Sequence, residues 1–265
     1  MRAMVAVALL VAGCTRAPEP LRVCLDPDNL PFSDRAGRGF ENALAELLAS
    51  DLHRPLEIVW WAQRRGFARN TVGAKLCDVW PGVATGFDRL ATTRPYYRSS
   101  YVFVTRSEDH LSNLTLDDPR LRRLRIGVQL IGDDGSNTPP AEALARRGVV
   151  DKVRGFMVAD ERTSAGGSPA IMRAVDAGVV DVALVWGPTA GYFRTHSRRP
   201  LQIQPVSPWL DANRWPMAFD ISVGVAKDRK DLAKQIDQVL RRRSNEIRRM
   251  LLDHRVIPRV SSEGV

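Results

Sequence analysis

The chain has 265 residues, 44% of them apolar, which is enough to bury the core of one large domain or of two smaller lobes. Lysine and arginine outnumber aspartate and glutamate 39 to 30, a formal net charge of +9 at pH 7. The basic residues are scattered. Their densest run, Arg241-Arg242-Arg243 with Arg248-Arg249, lies in a helical pattern with no nucleic-acid motif beside it. The charge therefore argues against a nucleic-acid partner and for an acidic protein partner.

The N-terminus reads as an export signal. Met1-Arg2 is a positive start, and Met4 to Ala12 is an apolar run too short to span a bilayer. Small residues in Val11-Ala12-Gly13-Cys14 sit where a signal peptide is cut, so residues 1–13 are read as that peptide and the periplasm as the destination. The small-small-Cys ending resembles the bacterial lipobox, whose cysteine receives a diacylglycerol. Cys14 would then tether the chain to a membrane surface through the Pro-containing stretch 14–20. An ordinary signal peptide with a coincidental cysteine is the alternative. With Cys14 assigned to the anchor, Cys24 and Cys77 remain as an even pair in an oxidising compartment. If their strands are neighbours, a disulfide would close a loop of about fifty residues, worth roughly 3–4 kcal/mol in the chain-entropy model. Two buried free thiols are the other reading.

In chain order, a strand at 21–26 enters the turn-rich loop Asp26 to Ser33. A helix from Gly39 to Leu52 follows, with Phe40, Leu44, Leu47 and Leu48 at helical spacing. A strand at 56–61, a short helix at 64–74 and a strand at 77–83 complete a strand–helix alternation that calls for a parallel sheet. Thr93-Arg94-Pro95-Tyr96-Tyr97 reads as a polar-aromatic loop before an apolar crossing strand at 101–106. A second α/β unit opens at Leu124–Gln129 and runs through the loop Gly132–Thr138 into a helix at 140–147. Val149–Phe156 suits a strand, and Ser168-Pro169 starts a helix that ends at Gly178. A buried strand at 180–186 ends at Gly187-Pro188. Strands at 201–206 and 221–225 precede one long helix from Leu232 to Leu252.

This order of elements resembles the type-2 periplasmic solute-binding proteins. The resemblance implies an α/β fold of two lobes with two crossings: residues 21–106 and 219–265 in lobe 1, residues 107–218 in lobe 2. Gly127-Val128-Gln129 and Ala174–Ala183 carry the second-lobe likeness. The segments RVCLDPDNLPFSD, GRGFENALAELLA, WWAQRRGFARNT, KLCDVWPGV and TTRPYYRSSYVFV more narrowly resemble the solute-binding-like proteins encoded beside quinoprotein methanol dehydrogenases, the J proteins of those operons. That resemblance implies a periplasmic accessory for a dehydrogenase that depends on pyrroloquinoline quinone (PQQ), acting in its activation or assembly. The dehydrogenase, and with it its cytochrome c, are the implied partners. Amino-acid receptors place an arginine after strand three and an aspartate after the second-lobe strand. Here Arg89 sits in a shortened loop and Trp186 stands where the aspartate is expected, so free amino acids do not match.

The inferred cleft draws Asp26, Phe32, Trp61, Arg64, Arg65, Arg94, Tyr96 and Tyr97 from the first lobe. The second offers the Gly132–Thr138 loop with Ser136, Ser168 at a helix start, and Trp186. Helix N-termini and arginines suit carboxylates, and the aromatics suit a planar ligand. A peptide segment of a partner fits that mixture, as does PQQ as a transient ligand, with no permanently bound cofactor. Each residue also has a plain core or ion-pair role available. Asp133-Asp134 and Asp26-Asp28-Asp34 have the composition of turns without the ligand spacing of a calcium loop, so no metal is expected. The four histidines show no acid–base pattern, and no catalytic residue is assigned. Two alternatives accompany the accessory reading. One is the receptor of an ABC importer for a small anionic or aromatic solute. The other is a dehydratase on the same scaffold, with Asp26 and Asp88 as its only candidate carboxylates.

Overall fold

The computed structural model describes residues 17–130, 138–158, 168–212 and 214–256; Cys14, the leader and Ser136 lie outside them. Strand β1 (Leu21–Leu25) is followed by a small hairpin, β2 (Asp28–Asn29) and β3 (Ser33–Asp34). Helix α1 (Phe40–Asp51) begins at Gly39, where a Cβ would stand 2.1 Å from the Phe32 carbonyl oxygen, so only glycine lets the loop approach the helix start. Strand β4 (Leu56–Trp60), the single turn α2 (Phe67–Asn70) and β5 (Val79–Ala84) follow, then β6 (Ala91–Arg106).

The second half holds β7 (Ile126–Leu130), α3 (Pro139–Arg146), β8 (Val153–Met157), α4 (Ser168–Asp176), β9 (Val182–Trp186), α5 (Gly187–Arg194) and β10 (Leu201–Pro205). A hairpin of β11 (Leu210–Asp211) and β12 (Trp215–Pro216) leads into β13 (Ala218–Val225), and α6 (Lys230–Arg242) and α7 (Ser244–Asp253) close the fold. The main sheet runs β4-β1-β5-β13-β6-β9-β7-β8, with β10 also on β6. Pairing is parallel at β4-β1-β5 and at β9-β7-β8, with the antiparallel strands β13 and β6 between them.

Strand β6 departs most from the sequence reading. It starts at Ala91 and spans 16 residues, so Thr93–Tyr97 belong to a strand and not to a loop. The proline is accommodated by a register shift: Tyr97 pairs Ile221 while Pro95 pairs Ser222, leaving Tyr96 as the extra residue. Ala91–Ser100 pair β13, Tyr101–Thr105 pair β9 on one side, and Val102–Arg106 pair β10 on the other.

Two other expectations are corrected. Gly187-Pro188 ends β9 but also opens α5, because proline in the first turn of a helix sacrifices no hydrogen bond. The single C-terminal helix is two, broken at Arg243. Arg242 at the end of α6 and Arg243 between the two helices both donate to the Asp51 carboxylate, at 2.6 and 2.7 Å. No helix among the described residues is long and apolar enough to cross a membrane.

Leu21, Val23, Leu44, Leu48, Val223 and Ile236 form one buried cluster of the first half, while Phe103, Ile126, Leu144 and Leu184 anchor one in the second. A smaller cluster of Phe67, Val72, Val83 and Leu90 surrounds the Cys24–Cys77 disulfide, which closes a separation of 53 residues. Replacing both cysteines by alanine should lower unfolding free energy by about 3–4 kcal/mol. Denaturant titrations of the double variant and the oxidised wild type measure that difference; equal midpoints would show that the crosslink adds nothing.

Candidate functional site

Between the two halves lies a cavity of about 310 Å³. Its first-half wall is built by a hydrogen-bonded loop. The Asp26 carboxylate accepts the N–H groups of Asp28 (2.8 Å) and Gln63 (2.5 Å), and the Ser33 hydroxyl donates to the Asp26 carbonyl oxygen at 2.9 Å. Asn29 donates to Gln63 at 2.9 Å, which joins the β1 exit to the β4 exit. The Asn42 side chain accepts from Asp34 and Gly39 and donates to the Asp34 carbonyl, fixing the loop to the start of α1. These bonds hold Asn29, Phe32 and Gln63 against the cavity and place Glu41 in the first helical turn.

The second-half wall depends on Gln129 and Trp186. Gln129 is buried at the exit of β7, and its side chain accepts the Trp186 N–H at 2.9 Å. Its carbonyl accepts the Thr138 hydroxyl at 2.8 Å. The starts of α3 and α5 therefore both face the cavity, through Thr138 and Thr189. Across the crossing, the Trp186 indole N–H donates to the Tyr97 hydroxyl oxygen. Trp186 also packs edge-on to Tyr101, with ring centroids 5.2 Å apart, and lies 6.0 Å from Phe219. Phe32, Tyr97, Tyr101, Trp186 and Phe219 make the lining largely aromatic.

Among the described residues, one carboxylic acid lines this space. Glu41 is 5% exposed, and no described residue hydrogen-bonds its carboxyl. Burial, and secondarily the nearby Asp26, push it from 4.5 up to about 8. Gly82 leaves room for it, since a Cβ there would sit 2.6 Å from Glu41 Oε1. Burial also raises the hydroxyls of Tyr97 and Tyr101 well above their ordinary range, so both stay protonated. The described lining carries no arginine or lysine.

Of the sequence candidates, Phe32, Tyr97 and Trp186 line the cavity together. Asp26 lies behind the wall with its carboxylate committed to backbone N–H groups; burial raises its pKa despite them. Trp61 is 39% exposed, Arg65 is exposed and Arg64 half-buried, and none of the three lines the cavity. Arg94 and Tyr96 border a separate groove against α6 and α7, although the Tyr96 ring stays in edge contact with that of Tyr97 at 4.9 Å. Ser168 opens α4. Asp88 and Arg89 are exposed in the turn before β6. Glu41, Gln129, Tyr101 and Thr189 were not singled out by the sequence. Only Glu41 carried a signal, a charge one residue from the buried stripe of α1. Among the described residues no three acidic, histidine or cysteine side chains gather as a metal site.

No family model matches the chain. Protein MoxJ of Paracoccus denitrificans is 30% identical over 239 residues, covering 83% of this chain and 82% of that protein. The chain belongs to the MoxJ family. Among solved structures, periplasmic binding protein XoxJ from Methylobacterium extorquens AM1 is 33% identical, with a TM-score of 0.71 over 91% of this chain and all of that one. MxaJ from Methlophaga aminisulfidivorans MPT is 27% identical, with a TM-score of 0.75 over 90% of this chain and all of that one. AbpA, an amino-acid ABC transporter substrate-binding protein from Streptococcus pneumoniae, shares the fold at 18% identity, with a TM-score of 0.63 over 89% and 94%. The two-lobed periplasmic binding-protein fold implied by the sequence is therefore present, in a MoxJ-type chain whose β9 ends at Trp186.

The raised pKa of Glu41 has a definite consequence for stability. The folded state holds a proton that the unfolded state releases, so the carboxyl costs nothing below about pH 4.5, and stability falls as pH rises towards 8. Glu41→Gln should be close to neutral at low pH and stabilising by a few kcal/mol, as an order of magnitude, above pH 8. Thermal melts of both proteins across this range test it; parallel curves would contradict the buried, unpaired carboxyl.

Proposed function

We propose that this protein is a non-catalytic periplasmic accessory of a quinoprotein methanol or alcohol dehydrogenase, and that it assists activation or assembly by binding the enzyme, or a segment of it, in the cavity between its halves. Membership of the MoxJ family over most of the chain carries the proposal. Support comes from a cavity between the two halves that is lined with aromatics and, Glu41 apart, with neutral hydrogen-bonding groups. PQQ as a transient ligand would have to place its three carboxylates against the starts of α3 and α5, since the described lining has no guanidinium or ammonium, and a segment of the enzyme is the occupant proposed first. The dehydrogenase's cytochrome c is a second candidate partner, and acylation at Cys14 would hold the accessory at the membrane surface.

Affinity capture of apo-dehydrogenase on the tagged protein tests the reading. Co-elution, together with lowered methanol-oxidising activity in a deletion strain, is expected. No association and unchanged activity would sink the proposal. A strong thermal shift with one free anionic or aromatic solute, beside genes for a permease and an ATPase, would favour the importer receptor instead.

A further inference from the structure

Glu41 is unlike the other carboxylates that hold this fold together. Asp51, Asp78, Asp181 and Asp211 are each matched by arginine. The Glu41 carboxyl is nearly inaccessible, lines the cavity, and accepts no hydrogen bond from any described residue. The charged and titratable groups that act on it are Asp26 from the loop after β1 and Tyr96 and Tyr97 of β6, and none is cationic. Opposite it, the Thr189 hydroxyl in the first turn of α5 is buried with no partner among the described residues.

We infer that the cavity takes a cationic nitrogen group, a guanidinium or an alkylammonium, with Glu41 as its ion partner and the faces of Tyr97, Tyr101 and Trp186 as its walls. This names the chemistry of the segment to be bound and rests on the reading of the cavity given above. A cation is attracted both to a carboxylate and to the electron-rich faces of aromatic rings, and both attractions strengthen where water is excluded. Burying an ionised acid without a partner is costly, which is why burial favours the protonated form of Glu41 at neutral pH. An entering cation reverses that balance: the carboxyl gives up its proton to solvent and becomes the counter-ion. The described lining offers no arginine or lysine for a free carboxylate, so a side chain within a peptide suits the site better than a free amino acid.

The probe is N-acetyl-arginine methylamide, which carries one guanidinium and no other charge; its lysine counterpart supplies the ammonium, and its citrulline counterpart is the neutral isostere. Calorimetry should show binding of a cationic probe that releases about one proton near neutral pH, tightens about tenfold per pH unit towards pH 8 and then levels off. The citrulline probe should bind at least about 30-fold more weakly. Glu41→Gln should lose a similar factor for the cationic probes, along with the pH dependence. Free arginine should bind no better than the blocked amide. Equal binding of arginine and citrulline probes, an undiminished Glu41→Gln variant, or no binding of either cation at millimolar concentration would overturn the inference. Capture of the dehydrogenase is scored separately with wild type and Glu41→Gln. If capture succeeds where the probes fail, this inference falls and the accessory reading stands; if the probes bind and capture fails, the reverse holds.

Discussion

The whole arrangement depends on one strand. β6 is paired to β13 over its first ten residues and to β9 and β10 over the remainder, so both halves share its hydrogen-bond ladder. Where the pairing changes hands, the Trp186 indole N–H meets the Tyr97 hydroxyl, and Tyr101 packs on the same indole. Backbone groups in this region have to be satisfied by one half or the other. The change of partner opens the sheet just where the loops after β1, β4, β7 and β9 converge. The cavity is a consequence of that geometry.

Polar chemistry is distributed unevenly around this framework. At the periphery, carboxylates are answered by arginines: Asp211 by Arg147 at 2.7 Å, Asp51 by Arg242 and Arg243, Asp181 by Arg125. Each pair joins a partly exposed arginine to a carboxylate of low exposure, and together they fix where helices end and which loops lie together. In the cavity the pattern is reversed. Hydrogen bonds among Asp26, Ser33, Gln63 and Gln129 are spent on holding the walls, and the acid that faces the space is left without a described partner. Such an imbalance lowers stability, and binding sites are where proteins tolerate it.

Much of the fold was legible because hydrophobic spacing is a strong signal. Phe40, Leu44 and Leu48 marked α1, the apolar runs at 126–130 and 182–186 marked buried strands, and the sequence motifs led to the family. The start of β6 was hidden because Arg94-Pro95-Tyr96-Tyr97 has the composition of a loop, and only the bulge opposite Ser222 makes it a strand. The same bulge lets Tyr96 border the groove against α6 and α7 while Tyr97 lines the cavity, with the two rings still in contact at 4.9 Å. Arg64, Arg65 and Arg94 do not line the described cavity, since charge is visible in sequence while the direction of the side chain that carries it is not. Glu41 was passed over for the converse reason: its meaning comes from burial, which no local pattern of residues announces.

The most direct test of the account is hydrogen exchange of the protein alone and with apo-dehydrogenase. Binding in the cavity predicts slowed exchange at the amides of 28–34, 41–44 and 186–190, with α6 and α7 unchanged. Protection confined to α6 and α7, with the cavity segments unaltered, would place the partner elsewhere and contradict the account.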